Sequence, residues 1–210
     1  MIGAIIFDGS GTILNDIEAV WRANSDAYQA FGVKCCRTLD EFRERFMLPI
    51  PKFHLANGVP PELLKEVDAS FREFYPRYAE GVGLFPEVKE VLGELQSRGT
   101  LLGIVSNIPV LFLAEHLKKF DLAGYFAVVT GQEDCDEQKP SPKPVILTMG
   151  RMGAGPGEVM YVGDMEEDMI AGRKAGALTA AVVRPESYHP RWRLERQKPD
   201  RIISNLKELL

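Results

Sequence analysis

Short apolar runs alternate with longer segments of helical period along most of this chain. The β-like runs fall at Gly3–Phe7, Leu101–Val105, Ala127–Thr130, Val159–Val162 and Thr179–Val183. Between the later ones lie Pro86–Arg98, Pro109–Phe120, Pro142–Met152 and Glu166–Ala175, whose apolar spacing and length suit crossover helices. This alternation predicts an α/β, Rossmann-like core, a parallel sheet flanked by helices. One interval breaks the rhythm. Roughly ninety residues separate the first two strands, several times what one crossover helix requires. Inside it, Asp40–Met47 and Pro60–Tyr78 carry helical spacing, punctuated by Pro49, Pro51, Pro60 and Pro61. The expectation is an inserted α-helical cap domain over residues 16–81, with the core formed by residues 1–15 and 82–210.

Polar residues cluster just after the strands, and in a parallel sheet those ends share one rim, where ligands gather. The first strand runs into Asp8, Gly9, Ser10, Gly11 and Thr12; the second into Ser106 and Asn107; the fourth into GDMEED, with Asp164 and Asp168. Lys139 lies in the KPSPKP stretch after the third. Asp8 and Asp164 are hard oxygen ligands of the kind magnesium takes. Asp168, one helical turn further on, is placed to orient ligands from behind them. Together with Lys139, two hydroxyls and the amides of Gly9–Thr12, they suit a phosphoryl group whose charge must be neutralised as it transfers.

Composition narrows the partners. The net charge of -5 gives no reason to expect nucleic acid or an anionic membrane. Asp8 breaks the first apolar run too early for a signal-peptide core, and nothing approaches the ~20 apolar residues of a membrane-spanning helix. Cys35, Cys36 and Cys135 form neither a disulfide framework nor a zinc pattern, which fits a reducing, cytoplasmic compartment.

Four motifs in order carry a resemblance. Asp8 with Gly11 and Thr12, Ser106 in IVSN, Lys139 in KPSPKP, and Asp164 with Asp168 in GDMEED resemble those of the haloacid dehalogenase superfamily, on its phosphatase side. The helical insertion resembles the small cap of phosphoglycolate phosphatase-like members. The resemblance implies a magnesium-dependent (Mg2+) phosphohydrolase of a small phosphorylated metabolite, a monomer or homodimer, working through an aspartyl-phosphate. It implies that Asp8 is the nucleophile and that Ser106 and Lys139 hold the phosphoryl oxygens, with Gly11, Thr12 and Asn107 also on the substrate. It places the metal on Asp8, Asp164 and the backbone carbonyl of Ser10, with Asp168 behind them.

Ser10 departs from the pattern. Phosphatases of this family carry there a second aspartate, which protonates the leaving alcohol and then activates water. A serine hydroxyl is too weak an acid for that work, and general acid–base help is worth ~10²–10⁴-fold. Alkyl phosphates are therefore expected to turn over slowly, and good leaving groups to suffer less. Two alternatives follow: a catalytically weakened relative that binds a phosphorylated ligand, and a phosphonatase-like C–P hydrolase with a Schiff-base lysine among Lys34, Lys52 and Lys65. Arg43, Arg45, Lys52 and His54 are the residues of the expected cap whose chemistry suits a substrate anion, and none of them is singled out.

Overall fold

The computed structural model describes residues 2–34 and 36–210, so Cys35 lies outside the described residues. β1 (Ala4–Asp8) runs up the middle of the sheet. It is followed by β2 (Leu14–Asn15), then helices α1 (Ile17–Ala30), α2 (Leu39–Arg45), α3 (Ile50–Ala56) and α4 (Leu64–Ala79), then β3 (Gly83–Leu84). The rest of the chain alternates: α5 (Val88–Ser97), β4 (Leu101–Val105), α6 (Val110–Lys119), β5 (Val128–Thr130), α7 (Lys143–Met152), β6 (Val159–Gly163), α8 (Glu166–Lys174), β7 (Leu178–Val182), α9 (Arg191–Arg196) and β8 (Arg201–Ile203).

Six strands form one sheet in the order β5-β4-β1-β6-β7-β8, and every pairing in it is parallel. Strands covered on both faces read as unbroken apolar runs, as AIIF does before Asp8, all five residues being buried. The pleat still sorts the side chains. Ala4 and Ile6 pack with Val145 and Met149 of α7 and Ala171 of α8. Ile5 and Phe7 join Leu92 of α5 and Leu117 of α6 on the opposite face.

Register sets the functional rim. Asp8 lies beside Val105, and Phe7 beside Val162. Asp8, Ser106 and Asp164 therefore leave three adjacent strands at one level.

α1 to α4 lie between β2 and β3, which pair antiparallel, Leu14 with Leu84 and Asn15 with Gly83. This two-stranded ladder closes the neck of the insertion. Phe42, Phe46 and Phe53 in the insertion pack on one another and reach the core through the ring of Tyr188, 5.1 Å from that of Phe46. The segment after β7 docks rather than protrudes: Tyr188 and Leu194 are buried, and Arg193 pairs with Glu166.

Candidate active site

Asp8 ends β1 with its side chain buried. Its Oδ1 accepts from the Gly9 N–H at 2.7 Å and from Lys139 Nζ at 2.6 Å. Lys139 Nζ also donates to Asp168 Oδ1 at 2.7 Å, so one ammonium bridges two carboxylates. Asp168 is held from two further sides, by the Met165 N–H at 2.9 Å and the Tyr161 hydroxyl at 3.3 Å. Asp164 accepts from the Tyr188 N–H at 2.6 Å and the Thr12 hydroxyl at 3.3 Å. One carboxylate oxygen from each of Asp8, Asp164 and Asp168 lies within 4.8 Å of the others.

Three buried carboxylates facing one ammonium leave an excess of negative charge. Burial pushes Asp8 up to about 7, with Asp168 adding to the rise and Lys139 opposing it. Burial, then Asp8 and Asp168, hold Asp164 well above the usual carboxylate range. Burial works against the Lys139 ammonium, yet Asp168 and Asp8 outweigh it and keep its pKa well above that of an ordinary lysine. The three aspartates could hold a metal ion.

The motif glycines are explained by these carboxylates. Gly11 adopts φ +73°, and a Cβ there would collide with the Asp164 carboxylate. A Cβ at Gly163 would collide with Asp168 in the same way. Gly11 and Thr12, expected on the substrate, are thus turned toward Asp164, and Thr12 is fully buried. Ser106 and Asn107 do line the cavity in front of Asp8. Ser106 Oγ accepts from the Ile108 N–H at 3.2 Å, and Asn107 Nδ2 donates to Gln138 Oε1 at 3.3 Å. Ser10 lines the cavity too, but its hydroxyl donates to Asp16 Oδ2 at 2.8 Å.

Several cap residues with candidate roles lie elsewhere. Lys34, Lys52 and Lys65 are exposed, and neither they nor Arg43 and Arg45 line the cavity. A Schiff-base lysine therefore finds no support. His54 does line it.

Sequence reasoning missed Asp16 and Tyr188. Asp16 is buried and accepts from both Ser10 and the Tyr188 hydroxyl, and burial raises its carboxyl to about 6. The available signal was a second acid at the end of the loop that begins with Asp8. Tyr188 left none, because its backbone N–H and its hydroxyl meet Asp164 and Asp16 from a distant part of the chain.

A parallel sheet with a lysine-bridged acidic cluster at its carboxyl end, beneath a helical insertion, defines the class: an α/β protein with a covered polar site. The chain belongs to the haloacid dehalogenase-like hydrolase family, whose family model matches residues 5–182. It is 37% identical over 141 residues to the phosphoglycolate phosphatase of Escherichia coli strain K12, covering 67% of this chain and 55% of that protein. It is 35% identical over 154 residues to the phosphoglycolate phosphatase of Photorhabdus laumondii, covering 71% and 65% respectively. The matched part thus spans between about half and two thirds of these curated relatives. Among solved structures, a haloacid dehalogenase-like family hydrolase from Streptococcus pneumoniae superposes with a TM-score of 0.85 at 20% identity, over 99% of this chain and 96% of that one. CbbY from Rhodobacter sphaeroides, in complex with xylulose-(1,5)bisphosphate, superposes with a TM-score of 0.82 at 22% identity, over 100% and 96%. These two likenesses speak for the fold. No helix among the described residues is long and apolar enough to cross a membrane.

Proposed function

We propose that this chain is a magnesium-dependent phosphohydrolase that acts on a small phosphate monoester through an aspartyl-phosphate on Asp8. The observation that carries the reading is Lys139, fixed at 2.6 Å from Asp8 and 2.7 Å from Asp168, beside a third buried carboxylate on Asp164. The relatives named as phosphoglycolate phosphatases support phosphomonoester chemistry.

The Gly9 N–H and Lys139 both bond to Asp8 Oδ1, which orients the carboxylate with Oδ2 as its attacking atom. Oδ2 attacks phosphorus, the bond to the alcohol oxygen breaks, and the phosphoryl group rests on Asp8. Water then attacks that phosphorus, releasing inorganic phosphate and restoring the carboxylate. Lys139, Ser106 and the N–H groups of the Gly9–Thr12 loop hold the phosphoryl oxygens and offset their growing charge. Asp8, Asp164 and the carbonyl of Ser10 would hold magnesium, with Asp168 steadying Lys139 behind them. The donor set fits, being hard oxygens with more negative charge than one lysine balances. When bound, the ion supplies charge neutralisation between nucleophile and phosphate.

Ser10 has no acidic proton to give, so alcohols that leave only when protonated depart slowly. The same residue favours a second reading, a relative that binds a phosphorylated ligand without useful turnover. Phosphate release from a panel of small phosphate esters, with and without magnesium, tests both. Release that needs magnesium and falls to background in Asp8→Asn is the expected result. Release that survives Asp8→Asn overturns the aspartyl-phosphate, and tight binding with no release on any ester selects the second reading.

A further inference from the structure

The cavity over Asp8 has an uneven chemistry. It is partly open to solvent and lies between the insertion and the strand ends that carry Asp8 and Ser106. Its floor is polar, with Asp8, Ser106 and Lys139. Its walls are mostly apolar, with Val20, Leu48 and Ile50 from the insertion, Phe71 from α4 and Phe112 from α6, and the amides of Asn24 and Gln132 are neutral.

Among the residues lining it, Lys139 is the one cation, and it is already shared between Asp8 and Asp168. Asp68 is the other charge on the upper wall and is negative. Arg72, a turn away on α4, is committed to Asp68 at 3.1 Å, Glu133 at 2.8 Å and Gln132 at 3.0 Å. A substrate with a second anionic group would therefore meet apolar walls and a carboxylate, with no counter-charge to replace the water it gives up.

One polar atom on those walls has no partner. His54 is 2% exposed. Its Nδ1 is tied to the Tyr28 hydroxyl at 2.8 Å, while its Nε2 is buried without a hydrogen bond. A buried polar atom left unpaired costs roughly 1–3 kcal/mol, so one that lines a binding cavity points to a ligand group that completes it. Burial lowers the His54 pKa to about 4, so the ring is neutral and suits a neutral partner.

We infer that the cavity selects the phosphate ester of an uncharged aromatic or branched apolar alcohol bearing one neutral hydrogen-bonding group that meets His54 Nε2, and that it selects against a second anionic group. This rests on the reading of Asp8 as the phosphate site. It departs from phosphoglycolate, whose carboxylate is such a second anion. The missing acid at Ser10 points the same way from a separate observation, since aromatic hydroxyls leave with little protonation.

The test is a binding titration of the full chain with magnesium, using non-hydrolysable probes so that turnover is not required. Benzylphosphonate is expected to bind at least 10-fold more tightly than phosphonoacetate, in which a carboxylate replaces the ring. Of the three ring-hydroxylated benzylphosphonates, at least one is expected to bind more tightly than the parent, and that gain is expected to vanish in His54→Phe and to survive in Tyr28→Phe. Introducing a cation by Ile50→Arg is expected to narrow or invert the preference. Equal or tighter binding of phosphonoacetate by the unmodified chain overturns the inference, as does the lack of gain for every hydroxylated isomer. Both readouts are independent of Asp8-dependent phosphate release, so failure here and failure of the phosphohydrolase reading are seen in different experiments.

Discussion

The hydroxyl of Ser10 donates to the carboxylate of Asp16 at 2.8 Å, inside the loop that follows β1, while the Tyr188 hydroxyl donates to the other Asp16 oxygen at 3.2 Å. Position 10 therefore holds a donor to a buried acid. This relationship alters the simplest repair of the site. Placing an aspartate at position 10 alone would press a second carboxylate against Asp16, out of water, and each would disfavour the other's charge.

The expected outcome is that Ser10→Asp by itself gives a modest gain on alkyl phosphates, and that Ser10→Asp with Asp16→Ser gives a gain approaching the ~10²–10⁴-fold of general acid catalysis. Steady-state phosphate release from the unmodified chain, both singles and the double, reads this directly. A double variant no faster than the unmodified chain would show that the proton has another source.

Removing charge at Asp164 separates folding from metal binding. Burial and its neighbours Asp8 and Asp168 disfavour the Asp164 carboxylate, so Asp164→Asn is expected to raise the melting temperature in the presence of a chelator. The unmodified chain is expected to gain stability on adding magnesium, about 2.7 kcal/mol at a hundredfold excess over Kd. Asp164→Asn is expected to lose most of that gain. Melting curves with and without magnesium check both signs.

The loop that follows β1 is also anchored from behind. Arg184 pairs with Glu87 in a buried contact, donates to the Thr12 carbonyl at 3.1 Å and stacks on Phe85 at 3.9 Å. Glu87→Leu strands that guanidinium and is expected to cost about 3–5 kcal/mol. Glu90→Leu, which breaks the exposed pair with Lys207, is expected to cost less than about 1 kcal/mol. Denaturant unfolding of the two variants distinguishes a buried anchor from a solvated pair.

His116 supplies a pH signature from behind the cavity wall. Its Nε2 meets the Tyr75 hydroxyl at 2.8 Å, and burial lowers its pKa from 6.5 to about 4. The unfolded chain then binds a proton more readily than the folded one between these values. The contribution of His116 to stability is present above pH 6.5 and is lost as pH falls toward 4. Between pH 7.5 and 5, His116→Gln is expected to lose less stability than the unmodified chain, as measured by denaturant midpoints. An equal loss would mean that this histidine is protonated alike in both states.

Much of the core was legible because its signals are local. β4 has the bounds read from its apolar run, Leu101–Val105, and β1 differs by a single residue at each end. β8, three residues long, and the two-residue partners β2 and β3 were not legible. Runs that short carry no period; Arg201–Ile203 is a strand because Ala180–Val182 offers it a free edge. In the site, Asp8, Ser106, Lys139, Asp164 and Asp168 stood out because each follows or lies near a strand end, and a parallel sheet brings those ends together. The contact of the Thr12 hydroxyl with Asp164, across 152 positions of sequence, left no local signal.

The sequence by itself determined the alternating α/β order, the long interval between the first two strands it predicts, and which polar residues follow each apolar run. These follow from hydrophobic period and from where each apolar run stops, both short-range properties. Only the tertiary structure decided that Lys139 bridges Asp8 and Asp168, that Asp16 receives the hydroxyl of Ser10 and binds that of Tyr188 172 positions away, and that His54 lines the cavity over Asp8. Hydrogen bonds and desolvation depend on distance in space, and no period along a chain records which distant residues its fold will bring into contact.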